Sequence, residues 1–463
     1  MQITVKNKNE LERTFRIDGE FYQEKFLVVE QKLLGLSNIF PISELCYVSD
    51  GNHMSMAKYF DLENGIPYYR GKDLTDFFLE NVNPIFIPAR IFNSPLMKRS
   101  HFKTGDVLIS IVGTIGNLSL VTENIKYATG SCKIAILRPK SIQSEYLAVF
   151  LMSKYGNRQL KRSTRGAVQT GLILEDFDQI YALGASSKFQ SLISTIVRES
   201  LTYNRASRDS YKQMEHEVLS ELNLLSLQHE HKISFIASYS RTQNSVRMDA
   251  EYFQPKYGEI INAVKSYKYG WVFLGNSVNV KDQNFSPIKD KEFKYIELAN
   301  IGANGEIIGY TTSLGSDLPS RARRKVSSKD LIVSSIEGSL SSIALIESDL
   351  DGALCSTGFY VINSDSINSE TLLVYLKSIA GQLLLKKGCS GTILTAINKD
   401  EFSKIVIPKF DVDIQSKIKD KVTQVYSLRN KSKQLLEIAK YGVEIAIEKS
   451  EKTAQKWMDE QLN

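Results

Sequence analysis

The stretch RIDGEFYQEKF, Arg16 to Phe26, returns later in the chain as RMDAEYFQPKY, Arg247 to Tyr257. Arg, Asp, Glu, Gln and Lys recur at identical places and aromatic residues answer aromatic residues, at an offset of 231 (247 minus 16). Self-similarity over so long a period marks a repeated structural unit. A second register extends it: SEYLAVFLMSKYGNRQL from Ser144 matches SETLLVYLKSIAGQLLL from Ser369 at an offset of 225. The same offset carries Gly113 to Gly338, Ala128 to Ala353, Gly156 to Gly381, Gly166 to Gly391, Thr170 to Thr395 and Phe177 to Phe402. Copy two is therefore six residues shorter between its opening motif and its middle, a deletion that a surface loop absorbs cheaply.

Each copy orders its elements alike. The opening motif leads into a short helix, which in copy two begins with Pro255 at its first position. Residues 35–100 and 268–325 follow, rich in Asn, Gly, Tyr and Phe and without clear periodicity. A β-hairpin is predicted from VLISIVGTIGNLSLV after Asp106 and from LIVSSIEGSLSSIALI after Asp330, with small residues at the turn between β-branched runs. KIAILRP and FYVINS read as a third strand, and a helix capped by Ser144 or Ser369 comes next.

A long helix closes each copy. From Phe189 the apolar series runs through Ile193, Ile196, Tyr203, Met214, Val218, Leu222 and Leu225, with Ser200, Ser207 and Ser210 at intervening seam positions. From Ile414 it runs through Ile418, Val422, Val425, Leu428, Leu435, Ala439 and Ile445, with Gly442 as the one break. Spacings of three and four over several heptads mark a seam for a partner helix. A helix of ~40 residues is on the order of 60 Å long, more than a domain of this size is wide. The expected fold class is α+β: two tandem mixed α/β domains separated by two long helices that form an antiparallel coiled coil, with pseudo-twofold symmetry. The expected boundaries are 1–185 and 231–411 for the domains, and 186–230 and 412–460 for the helices.

At 463 residues the chain exceeds one compact core. Its net charge of +6, from 58 Lys and Arg against 52 Asp and Glu, permits an anionic partner without requiring one. MQITVKNKNELERTF holds no apolar run suited to a signal peptide and no window suits a membrane span, so a cytoplasmic location is expected. Cys46, Cys132, Cys355 and Cys389 lie far apart without a CxxC pair, which predicts free thiols.

Twin domains on a helical strut suit a ligand that repeats its features at fixed separation, as duplex DNA does every turn. Basic clusters occupy corresponding places: Lys98, Arg99, His101 and Lys103 ahead of the first hairpin, and Arg321, Arg323, Arg324 and Lys325 ahead of the second. Arg158, Lys161, Arg162 and Arg165 follow the first domain helix, and Lys386 and Lys387 the second. Nearby Gln169, Thr170, Ser390, Thr392 and Thr395 are candidates for base edges or phosphates, or for shaping a turn.

Catalytic motifs do not emerge. Asn83-Pro84-Ile85-Phe86 lacks the second proline of an adenine methyltransferase loop, and no GxxxxGK[ST] or glycine-rich cofactor loop occurs. Asp282, Glu292 and Lys294 imitate a nuclease triplet without a counterpart in copy one. His229 and His231 lack the companions of a metal site.

The doubled [RK]-x-D-x-E-[FY]-[FY] opening, the Gly-Asp-Val-Leu-Ile-Ser hairpin with GTIGN, the helix followed by a Gly-rich loop and the long closing helix together resemble the specificity subunit of type I restriction-modification systems. The resemblance spans nearly the whole chain. It implies a non-catalytic DNA reader with two target recognition domains, each taking one half of a bipartite site. The helices would serve as a ruler and as the dock for two methyltransferase subunits, with restriction (motor-nuclease) subunits joining. S-adenosylmethionine, ATP and Mg would then belong to the partners, and this chain would bind no cofactor or metal. Ser341 and Ser342 stand where copy one has Gly116 and Asn117, and copy one ends its domain with Ile180-Tyr181-Ala182-Leu183 where copy two has a proline, Pro408. The dissimilar aperiodic stretches predict two different half-sites. A structural adaptor without DNA preference is the competing reading, and a self-sufficient modification enzyme a third.

Overall fold

The computed structural model describes residues 16–60, 64–79, 85–166, 170–227, 230–391 and 395–462. The chain divides into two compact units: residues 1–204 with 430–463, and residues 205–429. Each takes one α/β body and part of both long helices, so the helices are shared between the units.

In unit 1 the opening motif enters α1 (Glu24–Leu34), whose buried Phe26, Val29 and Leu33 fall at helical spacing on one face. The strands are β1 (Ile39–Pro41), β2 (Cys46–Asp50), β3 (Ile66–Tyr69), β4 (Ile85–Ile87), β5 (Val107–Ser110), β6 (Leu118–Leu120), β7 (Thr129–Gly130) and β8 (Ile134–Pro139). The predicted hairpin and third strand form one sheet in the order β2-β8-β5-β6, with Val107 opposite Leu120 and Leu137. All four residues of β5 are buried, which is why it reads as an unbroken apolar run rather than an alternation. A smaller sheet, β4-β3-β7, comes mostly from the aperiodic stretch. Then follow α2 (Ser144–Met152), α3 (Lys154–Arg162), β9 (Tyr181–Leu183), which pairs with β1, and the long α4 (Ser187–Glu221).

Unit 2 repeats this order and adds to it. α5 (Pro255–Lys265) carries Pro255 at its first position, as expected. β10 (Trp271–Phe273), β11 (Asn279–Val280), β12 (Glu292–Ile296), β13 (Thr311–Leu314), β14 (Ala322–Lys325), β15 (Leu331–Ser334), β16 (Ile343–Leu345), β17 (Leu354–Ser356) and β18 (Phe359–Asn363) precede α6 (Ser369–Lys377) and α7 (Ile379–Gly388). The main sheet is β11-β18-β15-β16 and the smaller one β13-β12-β17-β14. β14, which holds most of the Arg321–Lys325 cluster, is shortened in unit 1 to a single antiparallel bridge between His101 and Thr129, and there Lys98 and Arg99 sit on a 3-10 turn, Pro95–Ser100. β19 (Cys389–Ser390) and β20 (Ala396–Ile397) pair, and β21 (Val406–Pro408) pairs with β10 as β9 does with β1, so the missing proline does not alter the first junction. The caps lie one residue earlier than expected: Gln143 and Asn368 are the N-caps, and the Asn368 amide oxygen accepts from Thr371 N at 2.8 Å.

The second long helix, α8 (Val412–Glu448), runs antiparallel to α4 within each unit. In unit 1 Ser200 Oγ donates to Ser432 O at 2.9 Å. In unit 2 Ser207 Oγ donates to Val425 O at 3.0 Å and Lys421 reaches Glu217 at 2.5 Å. Ser200 and Ser207 are buried because a small side chain lets the backbones approach, and the partner carbonyl satisfies the hydroxyl. Two expectations are corrected. α4 stops at Glu221, where Asn223 takes a positive φ of 56° and Leu224 N closes the end on Leu219 O; Leu225 lies beyond it and is exposed. The C-terminal helix is not continuous to 460: Ser450 caps a new helix, α9 (Glu451–Leu462), which doubles back along α8. Gly442 is a contact rather than a break, for a Cβ there would sit 2.3 Å from Met458 Sδ.

Candidate nucleic-acid interface

The duplicated opening motif does the same mechanical work in both units. Arg16 Nε pairs with Asp18 at 2.7 Å, and its two terminal nitrogens donate to Ser163 O at 3.2 Å and Thr164 O at 2.7 Å, carbonyls just past the end of α3. Arg247 Nε pairs with Asp249 at 2.7 Å, and its terminal nitrogens donate to Gly388 O at 3.5 Å and Cys389 O at 2.9 Å, at the end of α7. The carbonyls correspond at the offset of 225. A helix C-terminus leaves carbonyls without partners and carries partial negative charge, so a forked cation satisfies both needs. Asp18 and Asp249 also accept from Phe21 N at 3.1 Å and Tyr252 N at 3.0 Å, turning the chain into α1 and α5. The hydrogen bond from Arg16 holds the Asp18 carboxyl below its ordinary range; at Asp249 burial opposes, but Arg247 and Tyr252 N prevail. The motif is a clasp.

Arg16→Ala and Arg247→Ala should each destabilise their own unit by about 2 kcal/mol, the worth of a charge-assisted pair of bonds, and lysine should not restore it because it lacks the fork. Urea denaturation checks this. Because the native carboxyls titrate low, the aspartate part of the contribution is complete at neutral pH and is lost as pH falls through the depressed native values, so the difference between wild type and variant should shrink in acid to the part owed to the carbonyl bonds.

The aspartates before the hairpins are a second repeated anchor, one the sequence alone did not single out. Asp106 accepts from Lys103 N at 2.8 Å and Arg138 at 2.7 Å; Asp330 accepts from Ser327 N and Lys281 Nζ, both at 2.8 Å. Both are buried. Arg138 and Lys281 belong to different elements, so no common spacing betrays them.

The candidate cations sort by exposure. Lys98 and Lys103 face solvent in unit 1, as do Arg321 and Lys325 in unit 2, with Lys325 Nζ 5.4 Å from the Phe285 ring centre. Arg99 is exposed but ion-paired with Asp50, and His101 stacks on Phe92 at 3.7 Å with its Nε2 2.8 Å from Phe92 O. Arg323 sits at the β-bulge of β14 with Nε donating to Ser320 O at 3.2 Å, and Arg324 is half-buried beside it. In the second cluster Lys161 and Thr170 are exposed, Arg158 reaches Lys25 O at 3.5 Å and Arg165 pairs with Asp176. Burial raises the Asp176 carboxyl despite that partner.

Arg162 is a correction: it is buried, pairs with Glu30 at 2.9 Å, donates to Phe21 O at 3.0 Å and lies 4.1 Å from the Phe21 ring centre. A guanidinium so enclosed belongs to the interior and not to a phosphate face. Its counterpart Lys387 lies over the Tyr252 ring at 3.2 Å, and burial pushes its ammonium down to about 8. Lys386 is 4.0 Å from Glu251. Ser390 is exposed on β19, and the carbonyl of half-buried Thr395 accepts from Glu337 N at 3.0 Å. Gln169, Thr392, Asn83, Pro84 and His229 lie outside the described residues.

The nuclease triplet disperses: Asp282 pairs with Lys399, Lys294 Nζ donates to Asp349 O at 2.7 Å, and Glu292 is exposed. Among the described residues no three His, Cys, Asp or Glu side chains are grouped to hold a metal, and no helix is long and apolar enough to cross a membrane. The four cysteines are free thiols, with Cys46 and Cys389 pushed up to about 12 by burial.

Residues 36–181 match the family described as type I restriction modification DNA specificity domain. Among solved structures, the chain is similar to a type I restriction-modification S subunit from M. genitalium, at 12% identity over 90% of this chain and 97% of that one, with a TM-score of 0.37. It is also similar to the HsdS subunit from Thermoanaerobacter tengcongensis, at 13% identity over 89% and 96%, with a TM-score of 0.30. A search of the curated proteins found no match. The family match covers the β2-β8-β5-β6 sheet and its neighbours, and unit 2 repeats that sheet as β11-β18-β15-β16. Residues 36–181 therefore form a type I restriction modification DNA specificity domain, and the second unit repeats its main sheet.

Proposed function

We propose that the α/β body of each unit reads one half of a bipartite DNA site, and that the chain directs two methyltransferase subunits to it without performing chemistry itself. The observation that carries this reading is the match of unit 1 to a DNA specificity domain whose main sheet recurs in the same strand order in unit 2. The exposed cations, Lys98 and Lys103 in one unit and Arg321 and Lys325 in the other, supply phosphate contacts that set position. Neighbouring polar residues, Thr170 in unit 1 and Ser390 in unit 2, are assigned to base edges or phosphates. β14 and the divergent small sheets make the two halves of the site different. The paired helices set the spacing and offer the methyltransferase dock, and restriction subunits join that assembly. S-adenosylmethionine, ATP and Mg are assigned to those partners.

The test is co-expression with the methyltransferase encoded beside this chain, followed by mapping of adenine methylation in the host genome. A gapped motif with two unlike halves is expected. Methylation without sequence preference would support the adaptor reading, and S-adenosylmethionine bound by the isolated chain in equilibrium dialysis would support an enzyme.

A further inference from the structure

The two units attach the segment that pairs with the end of β6 or β16 to the long helices by opposite chemistry. In unit 1 Leu120 N, on β6, donates to Phe77 O at 2.7 Å, and in unit 2 the equivalent Leu345 N, on β16, donates to Gly305 O at 3.1 Å. Phe78 and Glu306 are thus structural equivalents. Phe78 is buried in the apolar cluster that holds Val197 of α4 and Leu435 and Ile438 of α8. Glu306 is equally enclosed, 3% exposed at its side chain, and forms an ion pair with Arg429 of α8, itself 8% exposed.

Further bonds make the unit 2 attachment directional. Glu306 Oε2 accepts from Asn304 N at 2.9 Å, Glu306 O accepts from Gly302 N at 2.9 Å, and the buried Tyr426 hydroxyl donates to Gly305 O at 2.7 Å. Tyr426 and Arg429 are one turn apart on α8, so both grip the same loop. An apolar side chain such as Phe78 tolerates small sliding, because dispersion contacts have no preferred direction. A buried carboxylate and guanidinium hold a single geometry, and desolvation makes that arrangement expensive relative to an apolar pair of similar volume. A costly directional contact where the sister unit manages with phenylalanine points to a requirement for precision.

We propose that Glu306 and Arg429 are positioning residues, a buried clamp that fixes the Gly302–Glu306 loop, and with it the smaller sheet β13-β12-β17-β14, in the orientation needed to read the second half of the DNA site. The proposal rests on the bipartite reading above. Neither residue touches DNA; each acts through the loop.

Three variants test it in the complex with methyltransferase: Glu306→Gln, Arg429→Met, and Glu306→Leu combined with Arg429→Met. The readout is methylation of cognate sites against sites mismatched in one half or the other, with thermal melting alongside. Each single variant should lose about tenfold in discrimination at one half of the site, the worth of one good base contact, and none at the other. The double variant refills the space with apolar groups, so its melting temperature should return to that of wild type while discrimination stays relaxed. Full recovery of discrimination in the double variant would reduce the pair to a packing role and overturn the proposal, as would equal relaxation at both halves or unaltered discrimination in the single variants. If the wild-type complex shows no bipartite preference, the function reading fails, and hydrogen exchange at amides 302–306 then decides the clamp: weakened protection in Arg429→Met upholds it, and protection unchanged overturns it.

Discussion

Replacing Lys98, Lys103, Arg321 and Lys325 with alanine is expected to weaken DNA binding about tenfold for each phosphate bond removed, the value of a charge-assisted hydrogen bond. The plot of log affinity against log salt should flatten by roughly 0.9 for each such bond. All four side chains are exposed, so the substitutions leave both cores intact. The loss should fall evenly on cognate and unrelated DNA, since phosphates carry no sequence information. Changing Lys98 and Lys103 alone should give part of the decrease, and changing Arg321 and Lys325 alone another part. An unchanged slope in a salt titration would remove these faces from the interface. The buried Arg162 is a poor choice for the same experiment, because its loss breaks the ion pair to Glu30 and the bond to Phe21 O and weakens binding through the fold of unit 1.

Gly156→Ala and Gly381→Ala should each destabilise their unit by about 3 kcal/mol, at the upper end of overpacking. For a unit of this size that is a fall of roughly 10 °C in its melting temperature. The reason is steric. A Cβ on Gly156 would come within 2.4 Å of Leu151 Cα and Phe150 O, and one on Gly381 within 2.2 Å of Tyr375 O and 2.6 Å of Leu376 Cα. These are backbone atoms of α2 and α6, which cannot swing away. Ser153 and Ser378 cap α3 and α7 by accepting from the same glycines at 3.3 Å, so relief by moving the helix would break the cap. Differential scanning calorimetry should show a depressed transition for the altered unit only. An unshifted melt would mean that the α2–α3 and α6–α7 corners are looser than the structure shows.

Both glycines were visible in the sequence as members of one register, yet nothing in that register says what they touch. The opening motif behaves likewise. Its repetition announces a duplicated unit, but Arg16 finds its carbonyl partners 147 and 148 residues away, a distance no local pattern spans. The Arg158–Arg165 cluster shows the limit most plainly. Lys161 and Arg162 are adjacent and equally basic, but consecutive helical residues point about 100° apart, which leaves Lys161 exposed and Arg162 buried. Composition cannot choose between them.

Short-range physics writes into this sequence the duplication, the hairpins with their third strands, the helical seams, and the serines small enough for helices to pass. Which cations face solvent, where the last helix turns back against Gly442, and that a phenylalanine in one unit answers a buried ion pair in the other emerge from long-range contacts in the folded chain. Periodicity encodes which face of an element is covered, whereas the identity of the cover depends on contacts between residues far apart in the chain, and so a charge reads the same in sequence whether it meets water or another charge.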